Sequence, residues 1–191
     1  MGKACGESSD KKVTISIGEY YASREPVVIK TLLGSCVAVC LFDAKAHIGG
    51  MNHILLPGRA DLAMYNMSAR YGINAMELLI NSVMAHGAER RRIKAKVFGG
   101  ASVIPGMIEK QAVGRKLSDF VISFLEKEGI QIISRDLGGV CVRNVYFHTQ
   151  AGDVYVKKGR SMNSLRLVRE EQKKVSQIRA KAREPMKVTF F

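Results

Sequence analysis

The sequence predicts an α+β fold, a layered α/β sandwich of mixed β-sheets with two main helices. Apolar segments of strand length outnumber the long segments with helical periodicity, and several predicted strands follow one another without a helix between them. The sequence contains no internal repeat of the kind that a regular βαβ array would show. With 191 residues, of which 47% are hydrophobic, the chain is long enough to bury a core.

Four strands are predicted in the first third of the chain. The segment 13–17 alternates apolar and polar residues, as a half-buried strand does, and 27–29 is a short second strand. The segment 36–42 is apolar almost throughout, which is typical of a central strand buried on both faces. A further strand covers 47–56, where the glycine pair 49–50 indicates a bulge or a close backbone approach.

Two helices and four more strands are predicted in the rest of the body. Apolar residues at helical spacing indicate a helix over 68–86 that Gly87 ends, and a second over 114–128 that Gly129 ends. The remaining strands are expected at 93–98, 130–133, 140–147 and near Val154.

We expect one domain over 11–159, with a flexible leader over 1–10 and a basic C-terminal extension over 160–191 that forms a helix or an arm. The formal net charge is +13, and basic residues are concentrated in the extension. Such a charge favours an acidic partner. No apolar segment is long enough to cross a bilayer, and the N-terminus lacks the apolar core of a secretory signal. A cytoplasmic location is therefore expected.

The main chemical signal is a thiol followed by an imidazole. Cys36 follows a turn at Gly34 and Ser35, and His53 lies on the next predicted strand, so that strand pairing can bring thiol and base together. Backbone N–H groups of the turn could hold the oxyanion that forms when sulfur attacks a carbonyl carbon. The Thr31 hydroxyl could accept a hydrogen bond from the second ring nitrogen of His53. The pattern predicts acyl transfer on an amide or ester, with a sulfur that solvent can reach.

Two other interpretations of these residues stay open at this point. Cys36 and His53 could instead be core residues, since a buried cysteine usually behaves as a small hydrophobe. A zinc site of Cys36, Cys40 and His53 has suitable ligand types. The two thiols would, however, lie about 13 Å apart along a strand, at about 3.3 Å per residue, and the sequence has no second closely spaced pair of cysteines.

Several motifs follow one another in a characteristic order. They are TLLGSCVAV at 31–39, the histidine of NHILLP at 52–57, IGEY at 17–20, RYG at 70–72, KVFGGA at 96–101, and the glycines 138–139 followed by Arg143. Together they resemble the signature of the CheD family, the chemoreceptor glutamine deamidases of bacterial and archaeal chemotaxis. The resemblance covers most of the body, so that 11–159 is expected to be a CheD-like domain.

The resemblance implies a deamidase that converts glutamine side chains of methyl-accepting chemotaxis receptors to glutamate; some members also hydrolyse glutamate methyl esters. By motif, Cys36 is the nucleophile, His53 the base and Thr31 the orienting hydroxyl, with no metal or organic cofactor. The family fold is an α/β sandwich with layered sheets. In many relatives the phosphatase CheC is a binding partner that controls availability to the receptors.

Two competing function classes are a noncatalytic adaptor that binds receptors or CheC, and a basic nucleic-acid-binding protein. The presence of all three predicted site residues argues against the adaptor. The extension lacks the interleaved aromatic residues used for base stacking and matches no recognised binding module, which argues against nucleic acid. Contact with the membrane is expected only through the receptors.

Overall fold

The computed structural model describes residues 11–55, 62–102 and 108–159, together with Lys173, Ser176 and Gln177, and only the backbone within 62–70 and 108–112. The predicted leader lies outside the described residues, and so does the predicted extension apart from its three described residues, which are exposed. Two mixed sheets and two long helices confirm the predicted α+β class. No helix in the described part is long and apolar enough to cross a membrane.

The strands of the described residues are β1 (Lys11–Thr14), β2 (Tyr20–Ser23), β3 (Val27–Leu33), β4 (Val37–Asp43), β5 (Ile48–Asn52), β6 (Lys94–Gly99), β7 (Gln131–Leu137), β8 (Val142–His148) and β9 (Val154–Gly159). The helices are α1 (Leu62–Ala85) and α2 (Ile108–Lys127), with a short 3₁₀ helix over Arg90–Arg92.

One sheet has four strands in the order β1-β3-β8-β9, and the other has five in the order β2-β5-β4-β6-β7. The pairs β1–β3 and β6–β7 are parallel, and all other neighbours are antiparallel. Both sheets are therefore mixed, as predicted.

Two apolar cores separate three layers. One core lies between the sheets and contains alternate residues of β3, β4 and β8, including Ile29, Cys40 and Phe147. The other lies between the five-stranded sheet and the helices and contains the intervening residues of β4, such as Val39. Strand β4 is buried along its whole length because it is central in its sheet and contacts both cores. This confirms the expectation of a strand buried on both faces.

The glycine pair of β5 marks a close approach rather than a simple break. A Cβ atom on Gly49 would lie 2.7 Å from the Thr149 carbonyl oxygen, and one on Gly50 would lie 2.9 Å from side-chain atoms of Ala22 and Val83. Any side chain here would therefore separate β5 from the two layers that it joins. The predicted close backbone approach is confirmed.

The boundaries of several elements differ from the prediction. The first strand ends at Thr14, because a turn follows in which Ser16 accepts a hydrogen bond from Glu19 and donates one to its carboxylate. Strand β2 was not predicted, since only four residues separate this turn from the next loop. Strand β5 ends at Asn52, so that His53 lies just beyond it.

Both helices begin earlier than predicted, at residues 62 and 108. The second was expected to begin at Gly114, which instead lies inside α2. A Cβ atom there would lie 2.6 Å from the carbonyl oxygen of Gly100, so glycine allows the helix to approach the loop after β6. The predicted ends are confirmed, with Gly87 and Gly129 in the left-handed region at φ +107° and +66°.

Candidate active site

Strand register places Cys36 and His53 on one face of the five-stranded sheet. An isolated antiparallel bridge joins Val37 to Ile54, with both backbone hydrogen bonds made, at 3.0 and 2.7 Å. Cys36 therefore lies opposite Leu55, and His53 is the diagonal neighbour on the same face. Diagonal neighbours lie about 7–8 Å apart between Cα atoms, within reach of an imidazole. Cys36 and Leu55 both belong to the core between the sheets.

Backbone hydrogen bonds from the turn before β2 fix the position of His53. The His53 N–H donates to the Glu19 carbonyl at 3.0 Å, and the His53 carbonyl accepts from the Gly18 N–H at 2.8 Å. Gly18 has φ +84°, a conformation that glycine adopts without strain. The histidine is thus held on both sides, between the end of β5 and this turn.

Thr31 joins His53 across the space between the two sheets. Its Oγ1 lies 2.8 Å from His53 Nδ1 and donates a hydrogen bond to the Ile15 carbonyl at 2.9 Å. A hydroxyl has one hydrogen, and a carbonyl can only accept, so Oγ1 must accept from the ring. We therefore assign the hydrogen of the ring to Nδ1, which leaves Nε2 with a lone pair. His53 Nε2 is buried and has no hydrogen-bond partner among the described residues.

The imidazole is neutral in this environment. Burial lowers the pKa of His53 to about 3, from an ordinary value of 6.5. The cause is desolvation, which disfavours the charged ring. At neutral pH the ring is therefore a base with an available nitrogen, rather than a cation.

The structure brings Thr31 and His53 into contact but does not join His53 to Cys36 by a hydrogen bond. The solvent exposure expected of Cys36 is wrong, since its side chain is 0% exposed. Its backbone is clamped by the loop after β6, because the Cys36 carbonyl accepts from the Gly100 N–H at 2.7 Å. The carbonyl of Gly34, in the turn before it, accepts from the Ala101 N–H at 2.9 Å, and Ser35 is buried.

Gly99 permits this clamp. Its φ is +118°, and a Cβ atom would lie 2.2 Å from the Cys36 carbonyl oxygen. Because a side chain cannot occupy that space, only glycine lets the end of β6 contact the backbone of Cys36. The motif at 96–101 therefore supports the turn that carries the thiol.

Sequence reasoning missed the role of Asn52. Its Oδ1 accepts from the Val39 N–H at 3.0 Å, and its Nδ2 donates to the Ala75 carbonyl of α1 at 3.1 Å. The side chain thus links β4, β5 and α1 immediately before His53. Its position beside the predicted base was the only signal in the sequence.

An ion pair between a buried arginine and a partly exposed aspartate lies beside the same turn. Arg143 is opposite Leu33, the last residue before Gly34, and its Nη2 donates to Asp136 Oδ1 at 2.8 Å. That hydrogen bond is the main reason why the pKa of Asp136 is lowered. The Gly138 N–H after Asp136 donates to the Gly99 carbonyl, so the ion pair supports the Gly99 loop.

No group of three or more His, Cys, Asp or Glu side chains that could hold a metal ion occurs in the described part of the chain. Cys40 is fully buried in the core between the sheets, where desolvation raises the pKa of its thiol. Cys141 is partly buried in the turn before β8. The structure therefore offers no support for the zinc alternative of Cys36, Cys40 and His53.

Residues 55–158 match the protein family described as CheD chemotactic sensory transduction. Three curated relatives bear the names "Probable chemoreceptor glutamine deamidase CheD 1", "CheD 2" and "CheD". The first, from Shewanella oneidensis, is 47% identical over 154 residues, 80% of this chain and 74% of the relative. The second, from Chromobacterium violaceum, is 46% identical over 147 residues, which are 76% of this chain and 73% of the relative. The third, from Thiobacillus denitrificans, is 44% identical over 165 residues, which are 85% of this chain and 81% of the relative.

Proposed function

Because the chain belongs to the CheD family, we propose that it is a chemoreceptor glutamine deamidase. It hydrolyses glutamine side-chain amides of methyl-accepting chemotaxis receptors to glutamate, as the names of its relatives indicate. In this proposal Cys36, His53 and Thr31 form the catalytic site. The turn at Gly34 and Ser35 supplies backbone N–H groups to the oxyanion.

The observation that supports these roles is the pair of hydrogen bonds made by Thr31. Because Oγ1 donates to Ile15 and accepts from His53, the base holds its hydrogen on Nδ1 and offers Nε2. A hydrogen-bonded third group that sets the tautomer and orientation of a histidine base is the arrangement of hydrolase triads. A buried nitrogen without a hydrogen-bond partner lowers the stability of the fold by about 1–3 kcal/mol. A histidine with a purely structural role would therefore be expected to pair both ring nitrogens.

The reaction follows from these positions. As the Cys36 sulfur attacks the carboxamide carbon, its proton moves to Nε2 of His53, and the C–S bond forms while the carbonyl electrons move to oxygen. Collapse of this intermediate breaks the C–N bond, and His53 gives its proton to the departing ammonia. His53 then takes a proton from water, which attacks the thioester and releases glutamate and the thiol.

Contact between Cys36 and Nε2 must tighten when the substrate binds. Catalytic hydrogen bonds are often long in a site without substrate, so their absence does not exclude the pair. The diagonal placement on one sheet face requires only side-chain rotation rather than strand movement.

Glutamate methyl esters are a second substrate class for the same site. The acyl-enzyme would be identical, with methanol leaving in place of ammonia. His53 can protonate either leaving group, so the proposed mechanism applies to both substrates.

The proposed partners are the receptors as substrates and the phosphatase CheC as a regulator. A net charge of +13 favours encounter with an acidic receptor surface, chiefly by raising the association rate. A cytoplasmic location follows from a substrate on the cytoplasmic part of a receptor.

The experiment that tests the proposed function is incubation with a receptor signalling fragment, followed by peptide mass spectrometry for conversion of glutamine to glutamate. Cys36→Ala should abolish conversion. Cys40→Ala is the matched control, since it removes another thiol that is buried in the core between the sheets. If Cys36→Ala converts glutamine at the rate of the wild type, Cys36 is not the nucleophile. If neither the wild type nor Cys36→Ala converts glutamine, but both proteins bind the fragment, the adaptor function is favoured.

A further inference from the structure

One face of the four-stranded sheet points away from both apolar cores. Val13, Ile29 and Phe147 pack in the core between the sheets, so the residues that alternate with them along the strands face outward. The strand register puts these outward residues on one surface, which we call the outer face. Its polar and aromatic side chains include Lys12, Lys30, Lys157, Tyr146, His148 and Tyr155.

The outer face is basic. The four strands β1, β3, β8 and β9 contain no aspartate or glutamate. Lys12 and Lys157 are exposed, and no carboxylate in the described part of the chain forms an ion pair with either of them. Asp136, the carboxylate that contacts this sheet from β7, is paired with Arg143 and Lys158 instead. A surface with charge of one sign and no partner of its own attracts an acidic molecule.

The three lysines of the outer face lie along one diagonal of the sheet. The step from Lys12 to Lys30 crosses one strand, the step from Lys30 to Lys157 crosses two, and each moves two residues along the strands. With strands about 4.8 Å apart and about 3.3 Å per residue, the diagonal is about 20 Å long. An α-helix of about 13 residues has this length, and its diameter of about 10–12 Å fits a face of four strands.

The aromatic rings of the outer face favour a polypeptide over a nucleic acid. Lys30 Nζ lies over the ring of Tyr146, 5.5 Å from its centroid. His148 and Tyr155 pack edge to face, with ring centroids 5.3 Å apart. These contacts use ring faces that the stacking of bases would need. Tyr155 is nevertheless 61% exposed, so it offers apolar area and a hydroxyl to a helix that lies on the sheet.

We propose that the outer face docks an acidic α-helix of the receptor substrate, away from the catalytic residues. The inference rests on the proposed function, because that function supplies the receptor as the partner. Carboxylates of the helix would pair with the three lysines, and Tyr155 would contact its apolar groups. Thr31 projects from the opposite face of β3 towards His53, so docking leaves the site between the sheets unoccupied. A docked receptor would hold its glutamines near the site at a high effective concentration.

Reversing two charges of the outer face tests the docking site. The double variant Lys12→Glu/Lys157→Glu changes two exposed side chains, so its thermal midpoint should match that of the wild type. Its Kd for the receptor signalling fragment, measured by calorimetry, should rise by about 10-fold at low ionic strength, because two attractive pairs become repulsive. This difference should shrink as salt is added. The KM for deamidation should rise in parallel, with kcat unchanged.

Lys45→Glu/Lys116→Glu is the matched control. It makes the same change in net charge at two exposed lysines, in the loop after β4 and on α2, outside the four-stranded sheet. Its Kd should equal that of the wild type. Lys12→Gln/Lys157→Gln removes the two charges without adding repulsion, and it should raise the Kd by a smaller factor. This neutral variant keeps the test valid if the charge reversal lowers the thermal midpoint.

An unchanged Kd in both outer-face variants overturns the proposal, and so does an equal loss of affinity in the control. Loss of binding to a single-stranded oligonucleotide or to phosphatidylglycerol vesicles, with receptor affinity unchanged, would replace the acidic helix by a nucleic acid or a membrane. Because binding is measured without turnover, the outcome is separate from that of the proposed function. A wild type that binds the fragment through the outer face but converts no glutamine overturns the proposed function alone.

Discussion

Replacing Thr31 by valine removes the oxygen that holds His53 and preserves the shape of the side chain. In the native site this oxygen accepts from His53 Nδ1 at 2.8 Å and donates to the Ile15 carbonyl at 2.9 Å. Thr31 is 1% exposed and His53 4%, so water has little access to the groups that lose their partner. The variant therefore leaves one buried donor and one buried acceptor unsatisfied.

Each such group costs about 1–3 kcal/mol, so the free energy of unfolding should fall by about 2–6 kcal/mol. The effect on catalysis comes from the ring nitrogen alone. If the tautomer with Nε2 available loses about 1–3 kcal/mol of preference, kcat/KM should fall by roughly 5- to 150-fold.

The assay is conversion of glutamine in a receptor fragment, with chemical denaturation of the same protein samples. Thr31→Ser is the matched control, because it keeps Oγ1 and loses one methyl group, worth about 1 kcal/mol of burial. It should retain nearly the activity of the wild type. A folded Thr31→Val variant with the kcat/KM of the wild type would refute the assignment of Thr31 as the orienting group.

Three further predictions concern the surroundings of the site. As pH falls from 6.5 towards about 3, the unfolded chain protonates His53 before the folded protein does, so the free energy of unfolding should decrease by up to about 1.4 kcal/mol per pH unit. His53→Asn, which keeps an N–H towards Thr31, should lack this part of the slope in urea titrations; identical slopes would contradict the neutral buried ring. Gly99→Ala should lower both stability and kcat, because its Cβ would meet the Cys36 carbonyl at 2.2 Å; Gly129→Ala, also at positive φ but with nothing within 4 Å, should cost only about 1–2 kcal/mol of backbone strain. Asp136→Ala leaves the buried Arg143 guanidinium without its main partner and should cost about 3 kcal/mol in denaturation experiments, whereas the same change at the exposed Asp119 should cost little.

The sequence could predict the thiol and imidazole together because both lie near the ends of strands that follow one another directly. A short connection between apolar strands favours an antiparallel pair, and the bridge between Val37 and Ile54 then puts positions 36 and 53 on one face. The same logic predicted that β4 is central, since its residues are apolar on both faces. These features follow from local pattern, which one sequence contains.

Features that depend on contacts between distant segments could not be predicted in this way. The carbonyl of Ile15 sets the direction of the Thr31 hydroxyl, yet Ile15 lies beyond the end of β1, in a segment that alternation alone assigns to a strand. Asn52 looks like a polar residue at a strand end until α1 supplies the Ala75 carbonyl. The burial of Cys36 likewise depends on how the two sheets stack, which no local pattern encodes.

Burial of the base has a consequence for where catalytic stabilisation is needed. A histidine with a pKa of about 3 does not carry a positive charge at rest, so it cannot hold a thiolate by ion pairing before the substrate arrives. Charge appears only as sulfur attacks, and it then resides on the substrate oxygen and on the newly protonated ring. In a buried site, fixed donors at that oxygen supply the stabilisation that solvent would otherwise give. Neutral donors such as backbone N–H groups suit this requirement, because they stabilise the transient anion without stabilising an imidazolium in the resting enzyme.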